Sequence, residues 1–345
     1  MKLGRWLLGF FIGVVLLAGC GESTDPGMAK NATGASARAE LPPAPKCPGR
    51  SKQIRVMLDG HVGPENVGVL MAARRGYFGD AGLRVRVGSP AKPGQSAPSV
   101  AAGTADLGVT QQPQVLLERD EGVPLIGLGS VVSQPTEAMI WLRSSGIHRI
   151  ADLKGKTIAI PGVPFQRSFL EKVLTHAGLG LDDVKLERVG YHLVPMLLSG
   201  KADAAFGGSW NLDGAVLRTH GEHPVIVKAQ DLGIPGYDEA VLFAPYECVY
   251  EHSGLYRDFL AAVRRGTAAA LKSPDGAARA IEENPESDPR VGRRALRAQL
   301  KATLPLLSRD QFLSPARGRL IEWMKREGLL SGELTFAIVF TNYYR

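Results

Sequence analysis

One short pattern occurs twice in this chain: a small residue, Gly, any residue, Ala, Asp. It appears as Ala102-Gly103-Thr104-Ala105-Asp106 and as Ser199-Gly200-Lys201-Ala202-Asp203. Each copy stands where a helical run ends and an apolar strand begins, and Gly is the residue that most readily closes a helix in the left-handed conformation. Two ordinary helix-to-strand turns would look the same. Their matching place in two similar runs predicts two lobes of like architecture instead.

The first run reads as strand 54–58, helix 66–75, strand 84–87, helix 96–102, strand 105–109, helix 112–121 and strands 125–132 and 138–142. The second reads as strand 157–160, helix 165–177, strand 185–189, helix 193–199 and strand 202–206. Alternation of this length predicts an α/β protein with parallel sheets covered by helices. After Tyr246 the strands nearly stop. Leu255, Phe259 and Val263 repeat at helical spacing, and helices continue to about 328, expected to pack on the first lobe.

The N-terminus predicts where such a chain works. Lys2 and Arg5 precede an apolar run from Trp6 to Ala18, which is short for a membrane span and closes on small residues. Leu17-Ala18-Gly19-Cys20 resembles a bacterial lipobox, which implies a signal peptide over 1–19 and lipidation at Cys20. An ordinary cleaved signal or a buried helix are the alternatives. Residues 21–46 are rich in Gly, Ser, Thr, Ala and Pro without apolar periodicity, the composition of a tether. With Cys20 lipidated, Cys47 and Cys248 remain. They are either bridged, as an oxidising compartment allows, or two separate buried thiols.

The net charge of +7 is spread among many acidic residues. There is no basic stripe with interleaved aromatics, so nucleic-acid binding is not expected. No Cys/His spacing suits zinc, and neither a metal nor a cofactor is expected. The Gly-x-Ser-x-Gly elbow, the phosphate-binding Gly-Lys-Ser/Thr loop and His-Glu-x-x-His are absent from the sequence, which lowers the odds of an enzyme without excluding a dispersed triad.

Open α/β sheets bind ligands at the carboxyl ends of their strands. Polar and aromatic residues gather at those places here. The first-lobe candidates are Asp59, His61, Asn66 and Gln112; the second-lobe candidates are Phe165, Gln166, Tyr191 and Trp210. Each has a plainer reading. Asp59 could simply cap a helix, His61 could be a solvated loop residue, and a Trp is usually core. Trp210, flanked by Gly-Gly-Ser and Asn, is read as a stacking face. Of Gln111, Gln112 and Gln114, at most two can face one site.

Several segments then fall in a telling order. They are Arg74-Arg75-Gly76-Tyr77-Phe78-Gly79-Asp80-Ala81-Gly82-Leu83, the two Gly-x-Ala-Asp copies, Gln112-Pro113-Gln114, Asp152-Leu153-Lys154-Gly155-Lys156, Gly233-Ile234-Pro235-Gly236-Tyr237-Asp238-Glu239 and Phe340-Thr341-Asn342. The ordered set resembles the substrate-binding lipoproteins of ABC importers related to thiamine-pyrimidine synthases, such as formylaminopyrimidine- and hydroxymethylpyrimidine-binding proteins. The resemblance covers nearly all of 52–345. It implies a two-lobed, periplasmic-binding-protein-like (type II) fold with a two-strand hinge. Lobe one would be 47–142 plus 239–345 and lobe two 143–238.

The same resemblance implies a non-enzymatic, monomeric, extracytoplasmic protein. It would touch the membrane through its lipid alone and hand a small aromatic nitrogenous metabolite to a permease and its ATPase. Two departures matter. Pyrimidine-binding relatives resemble Leu-Asp-Trp in the first loop, where this chain has Leu58-Asp59-Gly60, so a larger, flavin-like ring is an alternative ligand. The synthase branch carries a cysteine-rich iron motif with no counterpart here, which weighs against the alternative of a pyrimidine-synthase-type enzyme.

Overall fold

The computed structural model describes Cys47 and residues 52–345; the expected signal, Cys20 and the tether lie outside the described residues. Ten strands form two five-stranded sheets. The first contains β1 (Gln53–Met57), β2 (Arg84–Gly88), β3 (Leu107–Thr110), β4 (Leu125–Val132) and β10 (Ala240–Pro245), in the order β2-β1-β3-β10-β4. The second contains β5 (Glu137–Leu142), β6 (Thr157–Ile160), β7 (Lys185–Arg188), β8 (Ala204–Ser209) and β9 (Pro224–Lys228), in the order β7-β6-β8-β5-β9. Each sheet has three parallel strands followed by two with antiparallel pairing, and in each the fourth place is taken by the strand that crosses from the other half of the chain.

The repeated sequence pattern has a repeated physical role. Gly103 and Gly200 both take positive φ, 69° and 67°. Asp106 accepts from the backbone N–H of Arg55 at 2.7 Å, and Asp203 accepts from that of Thr157 at 2.9 Å. In return the Asp106 and Asp203 amides donate to the carbonyls of the same two residues, at 2.8 and 2.9 Å. Each motif thus fastens two neighbouring parallel strands, β3 to β1 and β8 to β6, across a helix that Gly has ended.

Two segments join the sheets, residues 133–136 and 237–239, and they are tied to each other. Thr136 N–H donates to Glu239 at 2.7 Å, and the Tyr237 hydroxyl donates to Glu137 at 2.8 Å. Arg317 donates to the Ser133 carbonyl and faces the Asp238 carboxylate. The change of sheet falls earlier than the expected boundary at 143. The strand 137–142 pairs with β8 and β9, so it belongs to the second sheet, and its buried apolar side chains Met139 and Trp141 pack there with Phe206.

The C-terminal helices differ from expectation as well. The helix Ser253–Lys272 packs on Val67–Arg74 in the first lobe. There Gly266 allows a close crossing, because a Cβ at this position would lie 2.6 Å from the Ala72 nitrogen. The helix Gly318–Arg326, however, reaches the second lobe. Its Trp323 meets Phe169 edge-on at 5.0 Å, in an apolar core shared by both lobes.

Cys47 and Cys248 are bridged, with a sulfur–sulfur distance of 2.11 Å across a separation of 201 residues. Closing a loop of that length restricts the unfolded chain by about 5 kcal/mol in the chain-entropy account. Among the described residues no helix is long and apolar enough to cross a membrane.

Candidate functional site

The carboxyl ends of β1 and β3 open on a cleft of about 490 Å³ between the sheets, also lined by the loops after β6, β7 and β8. The loop after β1 lies along it from Asp59 to Asn66. Asp59 accepts from the Thr110 hydroxyl at 2.9 Å and lies buried beside the Ser96 and Gly94 amides. Burial pushes the Asp59 carboxyl up to about 6, against the opposing pull of the Thr110 hydrogen bond and of those two amides, which also draw it down.

The second lobe answers with Tyr191, from the loop after β7. Its hydroxyl donates to the Asp59 carbonyl at 3.3 Å, and its ring lies 4.6 Å from the His61 ring, tilted by 50°. A Cβ on Gly60 would meet Tyr191 at 3.9 Å, so the glycine faces the tyrosine in ordinary contact. Gln166 is buried; its amide nitrogen donates to the Gly207 carbonyl at 3.2 Å and its oxygen has no partner.

Five carboxylates line the cleft: Asp59, Glu65, Asp213, Glu239 and Asp288. Burial raises Glu65 and Glu239, and the Glu239 charge adds to the rise at Glu65. Burial also pushes Asp213 up to about 6, although it accepts from the Ser209 amide at 2.7 Å and the Arg290 charge pulls it down. No lysine is among the described lining residues. The one guanidinium, Arg290, is held by Asp288 through two bonds of 2.8 and 2.7 Å. With no lysine and its one guanidinium held by Asp288, the cleft offers buried acceptors to a ligand that brings its own N–H groups.

Five of the eight sequence-predicted residues meet at this cleft: Asp59, His61, Asn66, Gln166 and Tyr191. Three do not line it. Gln112 is fully buried at a helix start, where it accepts from the Asp238 amide at 3.0 Å; its neighbour Gln111 lines the cleft instead. Phe165 is 1% exposed and sits in the shared core against Phe169. Trp210 grips the first crossing segment, its indole N–H donating to the Pro135 carbonyl at 3.2 Å and its amide to the Thr136 carbonyl at 2.8 Å. The Lys228 ammonium covers its ring at 4.3 Å, so the expected stacking face is occupied.

Sequence reasoning missed Glu65, Asp213, Glu239 and Arg290. Glu239 lay inside a segment already singled out and Glu65 adjoins the candidate Asn66, whereas Arg290 arrives from a distant loop with no local signal.

Residues 63–277 match the family described as NMT1/THI5 like. The chain belongs to that family. A relative in Haemophilus influenzae, whose name carries thiamine biosynthesis as a provisional role, is 30% identical over 81% of this chain and 88% of its own length. The formylaminopyrimidine-binding protein of Halalkalibacterium halodurans is 30% identical over 67% of this NMT1/THI5-like chain and 70% of its own. The Schizosaccharomyces pombe 4-amino-5-hydroxymethyl-2-methylpyrimidine phosphate synthase is 24% identical over 65% of this chain and 67% of its own.

Among solved structures, the alkanesulfonate-binding protein SsuA of Xanthomonas axonopodis pv. citri superposes with a TM-score of 0.67. It is 16% identical and covers 86% of this chain and 100% of its own. The NMT1/THI5-like chain therefore has the two-lobed type II periplasmic-binding-protein fold.

Proposed function

We propose that this chain is the extracytoplasmic, lipid-anchored binding protein of an ABC importer and captures an amino-substituted heterocycle of the thiamine-pyrimidine type. The observation that carries the reading is the acceptor-rich cleft. Gln166 Oε1 is buried without a partner, and the Asp59 and Asp213 carboxyls at the cleft are raised by desolvation. A ring nitrogen beside an exocyclic amino group presents donors to such acceptors, and the His61–Tyr191 pair offers a ring face. A sulfonate or phosphate ester would face the Asp59 and Asp213 carboxylates in a cleft without lysine, where the one guanidinium is already held by Asp288. That contrast separates this cleft from what the name of the sulfonate-binding structural neighbour implies, and from the phosphorylated product named for the synthases.

Binding requires contacts from both lobes, so ligand free energy favours the closed form and no chemical step is needed. The test is calorimetry with formylaminopyrimidine, hydroxymethylpyrimidine, its phosphate ester, riboflavin and an alkanesulfonate. A neutral aminopyrimidine binds, and Asp59→Ala weakens it by about ten-fold or more, the cost of one charge-assisted hydrogen bond. Binding of the phosphate ester or the sulfonate in preference, or turnover of any of these by the purified protein, overturns the reading.

A further inference from the structure

Among the described residues, six large hydrophobic side chains stand exposed: Leu198, Tyr246, Tyr250, Phe312, Ile338 and Tyr343. Leu198 lines the ligand cleft. Tyr246, Tyr250 and Tyr343 line one groove of about 520 Å³ at the far end of the first lobe, with Phe336, Phe340 and Tyr344. Tyr250 and Tyr343 are each 76% exposed. Ile338 lies on the same short helix as Phe336, and Phe312 is covered by the Arg345 guanidinium at 4.7 Å. A contiguous aromatic patch on a monomeric surface marks a contact with something.

Two observations bear on what covers it. The helix Tyr246–Glu251 that carries Tyr246 and Tyr250 also carries Cys248, and Cys248 is bridged to Cys47. The expected tether ends at Cys47, so the bridge roots it on this helix, at the buried face opposite the two exposed tyrosines. The patch is also made chiefly of Tyr, which pairs an apolar ring with a hydroxyl and suits the boundary between lipid and water.

We infer that the Tyr246–Tyr250–Tyr343 face rests on the lipid headgroup layer to which the chain is anchored. The inference rests on the anchoring half of the proposed function and not on the ligand. β10 fixes the resulting orientation. It starts at Ala240, which lines the ligand cleft, and ends at Pro245, next to Tyr246 in the groove. Six strand residues separate the two ends by about 17–20 Å. The resting protein therefore holds its cleft away from the membrane, and delivery to a permease requires the face to lift.

The test uses the mature chain with Cys20→Ser, which carries no lipid, on mixed phosphatidylethanolamine–phosphatidylglycerol vesicles. The chain partitions measurably onto the vesicles, and Tyr250→Ser/Tyr343→Ser lowers that partition by about ten-fold from the lost apolar contact, with melting temperature unchanged. In the anchored protein, hydrogen exchange slows over 246–251 and 336–344 when it is vesicle-bound. Partition that the double substitution leaves unchanged, or equal exchange with and without vesicles, overturns the inference. The mass of the N-terminal peptide reports separately whether Cys20 is acylated, so a failure of anchoring is distinguishable from a failure of this face.

Discussion

Asn211 of the second lobe donates to Glu65 of the first at 3.2 Å, and the same amide nitrogen donates to Thr303 at 2.8 Å. One fully buried side chain therefore joins the loop after β8 both to the cleft and to the C-terminal helix Arg293–Thr303. Its own oxygen has no partner.

Asn211→Ala removes both bonds and leaves a buried carboxyl with one partner fewer. The expected cost is about 1–3 kcal/mol. Because the bonds hold the lobes together, ligand dissociation speeds up along with the loss of melting temperature. Stopped-flow release and thermal unfolding check this together; a drop in melting temperature with unchanged release would show that the bond does not serve closure.

Trp210 is a hinge clasp in this structure. Trp210→Phe keeps most of the ring and loses the indole hydrogen bond to Pro135, at a cost of about 1 kcal/mol. Trp210→Ala also removes the ring beneath Lys228 and costs about 3 kcal/mol or more. Denaturant midpoints measure both. If the Phe variant equals the parent in stability while ligand affinity collapses, the ring contacts ligand after all.

Stability should fall as pH rises from about 4 to about 7. Glu137 is buried, its carboxyl pushed up to about 7 by desolvation despite accepting from Tyr237. In the unfolded chain it titrates at about 4.3. The folded state thus keeps a proton that the unfolded state has lost. Its contribution is full below about pH 4 and gone once pH has risen through about 7, on the order of 3 kcal/mol at most for this group. Asp59, Asp213 and Asp238, each raised by burial to about 6, act in the same direction. Melting temperature measured from pH 5 to 8 declines, and less steeply in Glu137→Gln. A flat profile in the parent would mean these carboxyls ionise without penalty.

The two-lobed arrangement was legible because the Gly-x-Ala-Asp copies are local, and the reciprocal bonds of Asp106 and Asp203 show what they encode. Asp59, His61 and Tyr191 were legible as candidates because strand ends announce themselves in apolar patterning. Phe165 and Trp210 misled for a common reason. An aromatic residue beside Gly and polar neighbours looks exposed in one dimension, yet here one fills an apolar core shared by both lobes and the other clamps a crossing segment. Local sequence carries no trace of contacts made across the molecule. Arg290 illustrates the converse: it reaches the cleft from a loop bridged to Val62 through Ser287, more than two hundred residues along the chain from that partner.

The helix Gly318–Arg326 is held on both sides by the first lobe. Before it, Gln311 accepts from Ser130; after it, Ser331 and Gly332 donate to Asp120. Its Trp323 nonetheless packs on Phe169 of the second lobe. Any wide gape must therefore wet these two rings, which makes opening a heat-capacity event. Capture starting from a gaping form would bury them again, and its enthalpy would become steeply more negative on warming, beyond what a ring-sized solute could supply alone.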